Sequence, residues 1–100
     1  MAVTASSSLV HSPNALGKVV SMATSYPDFA IDICNEPLFR SGKFVPKLYL
    51  SFLVPSVDLT DIIYDFRNRL LSYGYFFEVR YEKSDNPFTD LTKIILKICL

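Results

Sequence analysis

The sequence predicts a single small α+β domain in which one main helix packs on a four-stranded, largely antiparallel sheet. Two observations predict it: one segment carries apolar residues at helical spacing, and four others alternate polar and apolar residues. The order along the chain is (α)-β-β-α-β-β, with the first helix as an option. A helix with one apolar face needs a sheet to bury that face, so the segments predict a two-layer domain.

The main helix is predicted over 58–73. Its apolar face is formed at i, i+3, i+4, i+7, i+11 and i+14 by Leu59, Ile62, Ile63, Phe66, Leu70 and Tyr73. At its start Asp58 is expected to cap free amides with its side chain, and Asp61 places negative charge where the helix dipole favours it. Gly74 follows as a left-handed stop. These signals agree on both ends of the helix.

Strands are predicted at 29–34, 47–54, 75–83 and 91–100 from their alternation. The last segment also satisfies helical spacing, but three β-branched isoleucines in five residues favour a strand. The side chains predicted to face the helix are Phe29, Ile31, Ile33, Leu48, Leu50, Phe52, Val54, Tyr75, Phe77, Val79, Tyr81, Ile94, Leu96, Ile98 and Leu100.

The predicted domain covers 26–100 and follows a Ser/Ala-rich flexible arm over 1–25. A short helix at 14–24 is an option within the arm, weakened by Gly17 and by β-branched residues. A circular permutation of a ferredoxin-like chain would give the same order of elements; this is a topological likeness and implies no function. A core of this size is marginal alone, which favours self-association.

Composition excludes several classes of protein. The chain has 100 residues, half of them hydrophobic, and ten basic residues balance ten acidic ones. This profile does not fit a disordered chain or a bulk-electrostatic nucleic-acid binder. No run of 18 apolar residues predicts a transmembrane helix. Because no charged segment precedes an apolar run, a secretory signal does not fit. We expect a cytoplasmic protein; organelle targeting by the acid-free, Ser-rich N-terminus is the alternative.

The sequence offers no constellation for catalysis, a cofactor or a metal. His11 is the only histidine and lies in the arm, whereas a catalytic histidine needs a rigid site. Zinc needs four ligands at close spacing, and Cys34, Cys99 and His11 are three and far apart. A Cys34–Cys99 bridge would require neighbouring strands, and two reduced thiols are the favoured interpretation. The prediction is therefore a protein without enzymatic activity.

The sheet face away from the main helix is the predicted functional surface. Its apolar residues, the candidate protein-binding set, are Tyr49, Leu53, Phe76 and Ile95, and its charged residues are Arg80, Lys93, Lys97, Asp32, Glu78 and Glu82. An apolar centre inside a balanced charged rim is typical of a protein interface. One alternative is that the N-terminal segment covers this face.

A second alternative is that the face binds RNA or single-stranded nucleic acid, with Arg80, Lys93 and Lys97 on phosphates. The sequence thus favours a small accessory protein that binds an unidentified protein partner and also itself, as a homodimer, through this exposed sheet face. A viral origin suits this profile, although no residue decides it.

Overall fold

A computed structural model of the chain describes residues 13–37 and 42–100. Its elements are α1 (Pro13–Thr24), β1 (Ala30–Pro37), β2 (Phe44–Pro55), a 3-10 turn (Ser56–Asp58), α2 (Leu59–Ser72), β3 (Phe77–Lys83) and β4 (Leu91–Cys99). The sheet order is β1-β2-β4-β3, and every neighbouring pair is antiparallel. The predicted α+β domain with a four-stranded antiparallel sheet is confirmed. Its relation to a permuted ferredoxin-like chain stays a prediction.

The core lies between the two helices and the two central strands. Strand β2 contributes Leu48, Leu50, Phe52 and Val54, β4 contributes Ile94, Leu96 and Ile98, and the helices contribute Val19, Ala23, Phe66 and Leu70. The Phe52 ring is central to this cluster: its centroid lies 5.1 Å from that of Tyr26 and 5.2 Å from that of Phe66. The strand residues are the alternate positions that the sequence assigns to the buried face.

Helix α2 forms where its apolar spacing predicts, and its C-terminus carries the predicted glycine stop. Gly74 has φ +79°. The Gly74 amide donates to the Leu71 carbonyl at 3.1 Å, and the Tyr75 amide donates to the Leu70 carbonyl at 3.0 Å. This pair of bonds is a Schellman motif. The N-terminus differs from expectation: Asp58 makes no side-chain capping bond, because the 3-10 turn brings the chain into the helix instead.

Helix α1 occupies the segment where a short helix was an option. Val19 and Ala23 are fully buried in the core, so packing against β2 and α2 outweighs the modest helix propensity of the segment. Helix α1 thus contributes to the same core, although it precedes residue 26, where the predicted domain starts. Residues 1–12 of the predicted arm, His11 among them, lie outside the described residues.

Strand β1 departs from the predicted burial pattern. Ile31 and Ile33 were expected to face the helix layer as core residues, yet they are 51% and 62% exposed. Their partners across the ladder, Leu50 and Leu48, are buried. The physical reason is position: β1 is an edge strand, and the core cluster of the two helices centres on β2 and β4.

The other edge strand, β3, and the C-terminus show the same effect. Tyr81 was expected to face the helix layer as a buried residue but is exposed, and Leu100 lies beyond the end of β4 and is also exposed. Tyr75 is buried as expected, although it precedes β3 instead of belonging to it.

Two glycines should respond to alanine in opposite directions. Gly17 lies in α1, and an added methyl group would meet no atom within 4 Å, so Gly17→Ala should raise the free energy of unfolding by about 0.5–1 kcal/mol. Gly74→Ala forces an L-residue into the left-handed region and should lower it by about 1–2 kcal/mol. Urea denaturation measures the change in the free energy of unfolding for both variants. A change of the same sign in both would contradict the prediction.

Candidate protein-interaction surface

The alternation of the four strands creates a second face on which neither described helix packs. We call it the open face; its members are Asp32, Cys34 and Glu36 from β1, Lys47, Tyr49, Ser51 and Leu53 from β2, Lys93, Ile95, Lys97 and Cys99 from β4, and Phe76, Glu78, Arg80 and Glu82 from β3 and the residue before it. Helix α1 packs with α2 on the opposite side of the sheet. Residues 13–24 therefore do not cover the open face, and the rest of the N-terminal segment named in that alternative, residues 1–12, lies outside the described residues.

The four candidate protein-binding residues share the open face. The register places Phe76, Tyr49, Ile95 and Leu53 in four successive cross-strand rows. Tyr49, Ile95 and Leu53 are half-buried between neighbouring side chains, whereas Phe76 is 81% exposed. Adjacent residues of a strand lie about 3.4 Å apart along the strand, so rows on the same face lie about twice that distance apart. The four rows therefore span about 20 Å.

A cluster of polar side chains surrounds Tyr49. The Tyr49 hydroxyl donates a hydrogen bond to Glu36 Oε2. Lys97 Nζ lies 3.3 Å from Glu36 Oε1, 3.6 Å from Glu78 Oε1 and 5.7 Å from the centre of the Tyr49 ring. Lys47 Nζ approaches Glu36 Oε1 at 3.6 Å. Glu36 therefore holds Tyr49 and two lysines of two different strands in one network.

This network shifts the protonation of its members. The hydrogen bond from Tyr49 holds the pKa of Glu36 below its ordinary value, and Lys97 and Lys47 act in the same direction against partial desolvation. The same hydrogen bond raises the pKa of Tyr49, and the bond to Glu36 raises the pKa of Lys97. At neutral pH the network therefore contains the Glu36 carboxylate, the neutral Tyr49 phenol and the Lys97 ammonium group.

The three cations considered for nucleic-acid binding each lie beside an acid. Lys97 contacts Glu36 and Glu78, and Arg80 Nε lies 3.6 Å from Glu78 Oε2. Lys93 is the cross-strand partner of Glu82. The electrostatic field that such cations offer a phosphate is reduced by neighbouring carboxylates.

Sequence reasoning did not include Glu36, the residue at the centre of the network. The first strand was expected to end at residue 34, whereas β1 continues to Pro37. The signal was present: polar residues at 32 and 36 keep the alternation, and the proline marks its end. Placing Glu36 beside Lys97 further requires the strand order, which no local pattern contains.

The two cysteines share the open face but do not meet. Cys34 and Cys99 are both free thiols and both pair with Lys47, one from each side. Strand β2 thus separates them by two strand spacings, about 9.5 Å, which exceeds the Cα separation of a disulfide. Cys34 instead donates to Asp32 Oδ2 at 3.3 Å, and this bond raises the pKa of its thiol.

Within 13–37 and 42–100, no three His, Cys, Asp or Glu side chains form a group suited to a metal ion. Neither described helix has the length and apolarity needed to cross a membrane. In comparisons with known proteins, the chain matches no protein-family model, no curated protein and no solved structure. We therefore infer the role of the candidate surface from its geometry alone.

The Glu36 network predicts an acid-dependent part of the stability. Because the folded pKa of Glu36 is lowered, its contribution is present above the ordinary carboxyl range and is lost as pH falls through the folded pKa. Glu36→Gln should therefore be less stable than the wild type at pH 6, and the difference should shrink towards about pH 3. Urea denaturation across this range measures it.

The matched control is Glu82→Gln on the same face, since Glu82 makes none of the ion pairs found among the described residues. At pH 6 it should lower the free energy of unfolding less than Glu36→Gln does, because it removes none of these ion pairs. A Glu36→Gln difference that stays constant from pH 6 to pH 3 would rule out the proposed role of the carboxylate.

Proposed function

We propose that the chain is a small accessory protein that binds another protein through the open face. The observation that carries the proposal is the placement of both described helices on one side of the sheet, which leaves half-buried apolar groups and Phe76 on the other. The proposal includes a non-enzymatic role in the cytoplasm, self-association and, as an interpretation of size and composition, a viral source.

The chemistry of the open face supports a protein partner over a nucleic acid. Tyr49, Ile95 and Leu53 supply an apolar centre, and carboxylates accompany the cations around it. A phosphate backbone is attracted by an excess of positive charge, which this face lacks. A partner protein can place carboxylates beside the cations of this face and cations beside its carboxylates, as in the polar rims of protein interfaces.

The test compares two phenylalanines of similar exposure. Phe76→Glu places a charge on the open face, whereas Phe88→Glu places the same charge in the β3–β4 connection, where Phe88 is 93% exposed. Each variant is used as bait in extracts of the native cells, and captured proteins are quantified by mass spectrometry. We expect Phe76→Glu to lose a specific partner that the wild type and Phe88→Glu retain.

Two results would contradict the proposal. One is an identical set of captured proteins for both variants and the wild type. The other is binding of the purified wild type to single-stranded RNA that falls steeply as salt is raised, which would favour the nucleic-acid alternative with Arg80, Lys93 and Lys97 on phosphates.

A further inference from the structure

The sheet has two edges, and one of them, β1, carries features that oppose the pairing of a further strand. In β1 the Ile33 amide points away from β2, and the Asp32 carboxylate of the same strand accepts its hydrogen bond at 3.0 Å. Pro37 ends the strand and has no amide hydrogen to offer. A strand from another chain would have to displace the Asp32 carboxylate before pairing here. Edge strands that carry such features resist further pairing.

The other edge, β3, offers unpaired backbone groups. The Cys99 amide bonds the Phe76 carbonyl at 2.9 Å and the Ser84 amide bonds the Leu91 carbonyl at 3.0 Å, so the even-numbered residues from 76 to 84 face β4. The amides and carbonyls of Phe77, Val79 and Tyr81 therefore point outward. Among the described residues none of these groups has a hydrogen-bond partner.

An apolar groove runs beside this edge on the helix side of the sheet. The groove consists of two hollows that share Arg67. Leu71 of α2 and Val79 of β3 line one of them, and Tyr64 of α2 and Tyr81 of β3 line the other. Edge amides beside an apolar groove are the combination used when a further strand joins a sheet, since the backbone supplies the bonds and alternate side chains enter the groove.

We propose that β3 pairs antiparallel with β3 of a second copy of this chain, with Val79 on the two-fold axis. In this register the outward groups of Phe77, Val79 and Tyr81 meet those of Tyr81, Val79 and Phe77 in the second copy. On the open face Glu78 lies opposite Arg80 of the second copy, and the reverse pair forms across the axis. Opposite charges and aromatic pairs across strands both stabilise such pairing.

Charge selects this register over its neighbours. Outward-facing residues of one copy must pair with outward-facing residues of the other. The neighbouring registers therefore place the two-fold axis on another residue of β3. With Arg80 on the axis, Arg80 would face itself and Glu78 would face Glu82, so like charges would repel. With Tyr81 on the axis, Arg80 would face Glu82, but Val79 would lie opposite Lys83 and lose its apolar partner.

The pairing has two consequences for the surface. The two-fold axis is perpendicular to the sheet, so the apolar grooves of the two copies meet on the helix side, where Tyr64 and Leu71 are exposed. The open faces join side by side and stay accessible to another protein. The inference rests on the self-association in the proposed function and locates it at an edge instead of a face.

Charge reversal tests the pairing. The wild type should sediment at twice the chain mass of 11.3 kDa, whereas Glu78→Arg and Arg80→Glu should each raise the dimer dissociation constant at least about tenfold, since like charges would then face each other twice. The double variant Glu78→Arg/Arg80→Glu restores opposite charges and should restore the dimer. Circular dichroism of each variant verifies that the monomer is folded.

Glu82→Arg is the matched control, because it makes the same charge change on the same strand but has no charged partner in the proposed register. It should leave the dimer intact. A monomeric wild type, a double variant that stays monomeric, or dissociation by Glu82→Arg but not by Glu78→Arg would each overturn the inference.

Leu53→Asp separates the failure of this inference from that of the proposed function. Leu53 lies on the open face in β2, two strands away from the edge. We expect the variant to remain dimeric while it loses the partner captured by the wild type. A variant that becomes monomeric would mean that the open face itself carries self-association, and would overturn pairing through β3.

Discussion

Strands β2 and β4 bury every second side chain against two helices, and the rest of the molecule depends on this alternation. Leu48, Leu50, Phe52 and Val54 meet Ile94, Leu96 and Ile98 across the ladder in one continuous apolar layer. Successive strand residues point to opposite faces, so burial of one set of alternate residues places the residues between them on the other face. The open face is thus a direct consequence of the core. Its register is fixed because a shift of one residue would move the buried apolar side chains to the other face.

Two helices cover the centre of a four-stranded sheet but not its edges. The exposed Ile31 on β1 and Tyr81 on β3 lie at opposite borders of the helix layer, although both occupy alternate positions that point to the helix side of the sheet. At β1 the Asp32 carboxylate occupies an outward amide, whereas the described part of the chain offers no such group at β3. The same shortage of cover therefore leaves one edge with an occupied outward amide and one edge suited to pairing.

The sequence predicts local structure well where several signals agree. Helix α2 follows from spacing and the Gly74 stop, while α1 has weak propensity and is stabilised by burial of Val19 and Ala23, which no local pattern measures. The candidate face follows from alternation alone. Its central network does not, because Glu36 and Lys97 come from strands that meet only through β2, and alternation contains no strand order.

The balance of ten basic and ten acidic residues has a physical meaning on the open face. Lys97 lies between Glu36 and Glu78, and Tyr49 supplies both a hydroxyl to Glu36 and a ring beside the ammonium group. These charges already have partners, so a ligand gains little by offering new ones and must match pairs that are present. For the proposed protein partner, affinity would therefore come mainly from the apolar centre, and the charged rim would act on specificity by excluding surfaces whose charges do not fit.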